Sequence, residues 1–234
     1  MIETLTIFGF NLSLYYLFWF IGAVTVLILG CRIGEHLEIS FARSVIYIAG
    51  AIILGYLLLW GTSWVFGGGK MIGLNFVRIV IFMPIPVYLL TRIFGESFGK
   101  LMDLVAPLLA IFHGVTHLGC MFPGCCHGYP ARWGLYSNDV GAVCFPIQPI
   151  EAVSSILVGV VLLIMMWRNV QTGKLYAWYL LLYGGTRFIW EFFRDNEKIW
   201  CGISELAVHA FTAFVIGAIA LVVTERLRRR KIKS

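Results

Sequence analysis

The chain of 234 residues is too apolar for a water-soluble globular protein, since 60% of its residues are hydrophobic, 13% are charged and its mean hydropathy is +0.87. In a soluble protein a net charge of +6 would suggest a nucleic-acid partner, but six of the basic residues lie in the last nine, RLRRRKIKS. Such a segment is typical of an anchor beside anionic lipid, so we expect no nucleic-acid partner.

Apolar runs of about twenty residues recur along the chain and predict an all-α polytopic membrane protein with seven transmembrane helices. The predicted spans are 12–30, 45–66, 76–94, 101–119, 149–167, 175–192 and 205–224. The N-terminal MIETLTIFGF lacks a basic region and a cleavage site, so we expect the first span to remain in the mature protein. Residues 1–234 are expected to form a single transmembrane helical domain.

The basic residues predict how the helices are oriented. With the basic tail in the cytoplasm, seven spans place the N-terminus outside, twelve basic residues in cytoplasmic segments and four in outer ones. The outer four are Lys70, Arg132, Arg194 and Lys198. A long loop at about 120–148, rich in Cys, Gly and Pro, is then extracytoplasmic.

Three charged residues of the sixth predicted span share one helix face, because Arg187, Glu191 and Arg194 are spaced i, i+4 and i+7. Charged side chains are costly in lipid, so these are expected to face the bundle interior and to pair. One interpretation is a structural ion pair that fixes helix packing. The other is an anion site, in which two guanidinium groups held by a carboxylate bind the phosphate of a lipid head group.

The segment HGVTHLGCMFPGCCHG, residues 113–128, concentrates histidines and cysteines at the outer end of the fourth span. Four interpretations stay open: a disulfide that pins the loop, a zinc or other metal site, a thiolate nucleophile activated by a histidine, and plain packing. The spacing matches no recognised ligand set, so we predict neither a metal ligand nor a cofactor. The residues concerned are His113, His117, Cys120, Cys125, Cys126 and His127.

Two further groups have ordinary structural explanations. In FPIQPIE, at the start of the fifth span, Gln148 and Glu151 can cap the helix and point back at the loop. Tyr15 and its aromatic neighbours in the first span are typical of an aromatic belt at the membrane interface.

Taken in order along the chain, these motifs resemble those of the prolipoprotein diacylglyceryl transferase family, over nearly the whole sequence. The matching segments are SLYYLFWFIG, Asp103 with Ala106 and Pro107, HLGCMFPGCCHG, Pro146 with Gln148 and Glu151, and YGGTRFIWEFFR, the most specific of them. The family signature has Arg, Asn and Glu where this chain has His117, Cys120 and Cys125.

The resemblance implies a phospholipid-dependent transferase in the cytoplasmic (inner) membrane of a bacterium. Members of the family move a diacylglyceryl group from phosphatidylglycerol to the thiol of a lipoprotein signal-peptide cysteine and release glycerol phosphate. The implied partners are phosphatidylglycerol or another anionic phospholipid, and lipoprotein precursors. Access to the site would be lateral, from the lipid.

The resemblance also assigns roles to residues. The catalytic candidates are Arg187, Glu191, His117, Cys125 and Cys126, and the substrate-binding candidates are Arg194, Tyr15, Gln148, Glu151, His113 and Cys120. Arg187 and Arg194 would hold phosphate and Glu191 would orient them. Tyr15, Gln148 and Glu151 would line the cavity.

The departures from the family signature leave alternatives open. A divergent paralogue could use another acceptor, or use Cys125 or Cys126 as a covalent relay. A family His-Gly-Gly segment near the third span is missing here, and His113 or Arg78 is the candidate substitute. The non-enzymatic alternative is a membrane lipid-binding or partner protein. A solute transporter is disfavoured because the sequence has no repeated halves.

Overall fold

The protein is mostly helical in its computed structural model, which describes residues 4–7, 10–70, 75–169 and 173–233. The helices of this part are α1 (Leu14–His36), α2 (Phe41–Phe66), α3 (Phe76–Phe82), α4 (Pro84–Phe94), α5 (Phe98–Gly119), α6 (Ile147–Trp167), α7 (Leu175–Glu191) and α8 (Glu205–Lys233). Antiparallel ribbons join β1 (Thr4–Ile7) to β2 (Phe10–Ser13), β3 (Pro130–Ser137) to β4 (Ala142–Cys144), and β5 (Lys198–Trp200) to β6 (Ile203–Ser204).

Helices occupy all seven predicted segments, with differences in length and continuity. Within the described ranges, the five helices α1, α2, α5, α6 and α8 are long and apolar enough to cross a membrane. The predicted third span, 76–94, is not one straight helix, because α3 and α4 meet at a 45° bend. Pro84 explains the break, since proline lacks the N–H that a continuous helix would use and is favoured in a first turn.

The predicted loop at 120–148 is not wholly irregular, and the ribbon of β3 and β4 is a departure from an all-α chain. Tyr136 faces Val143 and Ser137 faces Ala142 across this ribbon. Aromatic and β-branched residues favour such pairing. Gly141, with a φ of 69°, supplies the left-handed backbone that the connection requires.

Helix α5 is the centre of the bundle. In its most apolar window of 18 residues, 72% are buried, compared with 22% in α1, α2 and α8. Large apolar side chains on the outer helices are instead exposed, among them Ile28, Ile53, Leu157 and Ile219. This distribution is the one expected when lipid, rather than water, surrounds the outer helices.

Small residues and one carboxylate hold the helices around α5 in place. A Cβ atom at Gly114 would lie 2.8 Å from the carbonyl oxygen of Ala152, so α5 and α6 are in close backbone contact. A Cβ atom at Gly184 would lie 2.5 Å from the backbone nitrogen of Phe214, which brings α7 equally close to α8. The buried carboxylate of Asp103 in α5 accepts hydrogen bonds from two backbone N–H groups at the start of α7.

Candidate active site

The ends of three helices converge on one buried carboxylate, that of Glu151. Glu151 lies in the second turn of α6, His117 in the last turn of α5, and Arg187 in the second half of α7. Arg194 follows in the turn after α7, where its backbone is paired with Gly128. The side chains come together because α5, α6 and α7 all pack against one another.

Glu151 binds both arginines of the predicted anion site. Its Oε1 atom accepts hydrogen bonds from Nη1 of Arg187 at 2.9 Å and from Nε of Arg194 at 3.1 Å. Its Oε2 atom is in contact with Nη2 of Arg194 and lies 3.2 Å from Nε2 of His117. Glu151 is 1% exposed, Arg194 3% and Arg187 6%, so this network is screened from water.

Glu191 contacts Arg187, one of the two arginines that the sequence suggested it would orient. Its carboxylate lies 2.5 Å from Nη1 of Arg187 and also accepts hydrogen bonds from Ser204 and Asn196. The expected orientation of both arginines by Glu191 is therefore wrong in one respect, because the carboxylate that binds Arg194 is Glu151. The reason is that Arg194 lies beyond the end of α7, where the helical spacing used for the prediction no longer applies.

A polar cavity of about 350 Å³ lies beside this network. Its lining includes Tyr15, Trp19, Leu59, Asn75, Phe76, Arg78, His113, Thr116, His117, Cys120, Cys126, Tyr183, Arg187, Arg194 and Glu205. The resemblance placed Tyr15 at the cavity, and Tyr15 is part of this lining. Gln148 and Glu151 were also expected to line it, but they lie behind the wall, where Glu151 holds the arginines and Gln148 donates to the carbonyl oxygen of Cys125 at 2.9 Å.

Arg78 is a third cation on the cavity wall, and the sequence named it only as a substitute for a missing family motif. It is 2% exposed, its Nη2 atom lies 2.5 Å from Glu205, and its guanidinium group lies over the ring of Phe66. Among the described residues, its Nε and Nη1 atoms have no hydrogen-bond partner. The sequence did contain a signal for Arg78, because an arginine within an apolar span is rare and usually marks a functional site.

A second cavity, of about 390 Å³, is lined almost entirely by apolar side chains of α1, α2, α3 and α5. It shares Trp19, Leu59 and Phe76 with the polar cavity, so the two adjoin. Ile53 and Leu57 line it and are each 59% exposed, which opens it toward the outer apolar surface of the bundle. No sequence pattern marked this cavity, because its lining residues are ordinary members of apolar spans.

The cysteines and histidines of 113–128 divide into two groups. The thiols of Cys120, Cys125 and Cys126 lie within 4.8 Å of one another, and all six cysteines of the chain are free. His113, His117 and Glu151 form the other group within the same distance, but Glu151 already binds two guanidinium groups, which would repel a cation. His127 lies apart from both groups, with its Nδ1 atom 3.1 Å from the carbonyl oxygen of Gly128.

The three neighbouring thiols differ in acidity. Hydrogen bonds with Cys120 and Cys125 hold the pKa of the Cys126 thiol well below its usual value, and Arg194 and His117 act in the same direction while desolvation opposes them. Hydrogen bonds with Cys125 and Cys126, followed by burial, raise the pKa of the Cys120 thiol. The lowered pKa favours the thiolate form of Cys126.

The sequence is similar to known enzymes over most of its length. A family model described as prolipoprotein diacylglyceryl transferase matches residues 3–224. Phosphatidylglycerol–prolipoprotein diacylglyceryl transferase 2 of Clostridium perfringens (strain 13 / Type A) is 28% identical over 139 residues, which are 56% of this chain and 54% of that protein. The transferase of Clostridium tetani (strain Massachusetts / E88) is 28% identical over 138 residues, 55% of each chain.

The chain thus spans about half the length of these two clostridial relatives. A longer match is to the phosphatidylglycerol–prolipoprotein diacylglyceryl transferase of Bordetella avium (strain 197N), which is 26% identical over 219 residues, 89% of this chain and 77% of that protein. With a family model that covers nearly all of its residues, the chain belongs to the prolipoprotein diacylglyceryl transferase family.

Proposed function

We propose that this protein transfers a diacylglyceryl group from phosphatidylglycerol to the cysteine thiol of a lipoprotein precursor in the cytoplasmic membrane of a bacterium. The observation that carries the proposal is the pair of adjoining cavities, one lined by three arginines and one almost wholly apolar. A phospholipid has this same division between an anionic head group and apolar chains. The opening at Ile53 and Leu57 suits lateral access from lipid.

In the proposed reaction the acceptor thiol gives its proton to solvent, and its sulfur forms a bond to the terminal glyceryl carbon of the diacylglyceryl group. The bond between that carbon and the phosphate oxygen breaks, and glycerol phosphate leaves with the bonding electron pair. The phosphate thereby gains a second negative charge. Cations held in place before the reaction stabilise such a developing charge without the cost of reorganising solvent.

The contacts suggest separate roles for the charged residues. Arg187 and Arg194 would bind the phosphate, and Arg78, which has unused donors, would add a third contact. Glu151 would position both Arg187 and Arg194, and Glu191 would position Arg187 alone. Neither carboxylate needs to touch the substrate for this purpose.

The remaining candidates would line or support the acceptor side of the cavity. His113, Cys120 and Tyr15 lie on its wall, and Gln148 holds the turn that carries Cys125. His117 lies on the same cavity wall as Cys126, with its Nε2 atom 3.4 Å from Nη2 of Arg194. This part of the site would receive the thiol that attacks the lipid.

We further propose that the chain is one transmembrane domain, 1–234, that crosses the membrane seven times with the N-terminus outside and the C-terminus in the cytoplasm. The bent pair α3 and α4 would form one crossing, and α7 would form another despite its 17 residues. Its charged face is buried against the bundle instead of facing lipid, which supports this assignment. The excess of basic residues on the cytoplasmic side supports the orientation.

A second candidate is a lipid-binding protein without transferase activity. It is favoured by His117, Cys120 and Cys125, which stand where the family signature has Arg, Asn and Glu. Such a protein would keep the two cavities but would leave the bound phospholipid intact.

Mass spectrometry of the purified protein with phosphatidylglycerol and a lipobox peptide separates these candidates. The transferase is expected to give a peptide with a diacylglyceryl adduct, together with free glycerol phosphate. Arg187→Lys keeps the charge but loses the forked geometry, so it should lower the rate strongly. Arg32→Ala, at an exposed position outside the lining of both cavities, is the matched control. Bound but unchanged phosphatidylglycerol would support the lipid-binding protein instead.

A further inference from the structure

The three thiols at the outer end of α5 are arranged as a set of metal ligands. The Sγ atoms of Cys120, Cys125 and Cys126 lie within 4.8 Å of one another, close enough to bind one metal ion together. We infer that these three cysteines bind a soft divalent cation of the zinc class, with a fourth coordination position open to the polar cavity.

The backbone after α5 is built to bring these side chains together. Cys120 is the C-cap of α5, and its carbonyl oxygen accepts from N–H of Gly124 at 3.2 Å and from Sγ of Cys125 at 3.8 Å. Cys126 has a φ of 58°, a left-handed conformation that costs a residue with a side chain about 1 kcal/mol or more. Side chains of consecutive residues in an extended chain point apart, so this turn is what places Cys126 beside Cys125.

Neighbouring elements hold the turn in place. Gln148 donates to the carbonyl oxygen of Cys125 at 2.9 Å, and Ser137 donates to that of Gly124 at 3.0 Å. A Cβ atom at Gly124 would lie 2.9 Å from the Cα atom of Ser137, so the turn packs directly on β3. The cluster is therefore supported from both β3 and α6, as a preorganised ligand set should be.

The number and spacing of the thiols favour a metal over a disulfide. A Zn–S bond is about 2.3 Å long, so tetrahedral ligation places sulfur atoms about 3.8 Å apart, which small side-chain rotations would reach from the present spacing. A disulfide would use two of the thiols and leave the third. Soft thiolate ligands select zinc and related ions over magnesium or calcium.

The surroundings fit the charge of such a site. Three thiolates and a divalent cation together carry one negative charge, and Arg194 and His117 line the same cavity as Cys126. Cys120 and Cys126 line the polar cavity, so the fourth coordination position would face the space where the arginines would hold the lipid phosphate. A metal with three protein ligands and one open position is the arrangement found in catalytic zinc sites.

This inference rests on the proposed function, in which the open position of the metal would bind the acceptor cysteine. The acceptor thiol gives its proton to solvent on binding, and the resulting metal-bound thiolate attacks the glyceryl carbon. The carbon–oxygen bond breaks, the electron pair leaves with glycerol phosphate, and the thioether product dissociates from the metal. A metal keeps a thiol deprotonated at neutral pH, which could replace the family residues absent from this signature.

Titration of the reduced protein with Co²⁺ alone tests the site without any lipid or peptide. One equivalent should give a saturable near-ultraviolet charge-transfer band from thiolate to cobalt. Single substitutions Cys120→Ser, Cys125→Ser and Cys126→Ser should each lower its intensity by about one third or more, because each removes one of three thiolates. Cys144→Ser, which changes a buried cysteine outside the group of three, is the matched control and should leave the band unchanged. A wild-type protein without the band, or a triple serine variant that keeps it, would overturn the inference.

A peptide-transfer assay on the same samples separates the two proposals. Cobalt binding by the three cysteines without any transfer would support the metal site and refute the proposed transferase. Transfer at the wild-type rate by the triple serine variant in a chelator would support the transferase and refute the metal site as part of it.

Discussion

Glu151→Gln is the substitution that most sharply tests the charge network. It keeps the shape of the side chain but removes the negative charge that binds Arg187 and Arg194. The wild-type network is balanced, with two guanidinium groups against the carboxylates of Glu151 and Glu191. The variant would leave one buried positive charge without a partner.

The expected magnitude follows from burial. Glu151 is 1% exposed, so solvent screens its contacts little. Removing one partner of such a buried ion pair costs about 3–5 kcal/mol, because the other charge stays buried. For a chain of this size, a loss of about 1 kcal/mol in the free energy of unfolding lowers the melting temperature by about 2–4 °C. The melting temperature of Glu151→Gln should therefore fall by about 6–20 °C.

Thermal unfolding in detergent supplemented with lipid would measure this loss. Phosphatidylglycerol should restore part of the stability of Glu151→Gln, since its head group has a net negative charge that replaces the missing one. Phosphatidylcholine should not, because its choline cation cancels the charge of its phosphate. Glu35→Gln, which removes a carboxylate from an exposed pair with Arg32, is the control and should change stability by about 0.5 kcal/mol or less. A Glu151→Gln protein that melts within about 2 °C of wild type would refute the buried network.

Three further predictions concern the fold and the apolar cavity. Asp103→Ala removes two hydrogen bonds to the start of α7 and should lower the free energy of unfolding by about 1–3 kcal/mol in denaturant titrations. Gly184→Ala should destabilise the contact of α7 with α8, whereas Gly61→Ala, with open space around it, should not; equal melting temperatures would contradict the packing. Ala51→Phe should fill the apolar cavity and raise the KM for phosphatidylglycerol, while binding of glycerol phosphate stays unchanged.

Much of the helical fold could be predicted from the sequence, because apolar runs of membrane length mark helices directly. The break at Pro84 was not predicted, although proline was visible, since the apolar pattern of 76–94 continues across it. The ribbon of β3 and β4 was also missed. Its side chains alternate only weakly between buried and exposed, so no clear strand period was present.

The sequence named most residues of the candidate site, but it did not show most of the contacts between them. Helical spacing brought Arg187 and Glu191 together correctly, because both lie within α7. It could not assign Arg194 to Glu151, since that contact joins a turn to another helix, 43 positions away in sequence. The proximity of Cys120 to Cys126 depends on the left-handed turn between them, which no periodic pattern shows.

The most direct test of the proposed function follows the two halves of phosphatidylglycerol with separate labels, one in the acyl chains and one in the phosphorus. With a lipobox peptide, the account predicts that the acyl label moves to the peptide cysteine while the phosphorus label is released as water-soluble glycerol phosphate. A peptide with serine in place of cysteine should acquire neither label. Phosphorus that stays in the lipid, or that moves to the peptide, would contradict diacylglyceryl transfer.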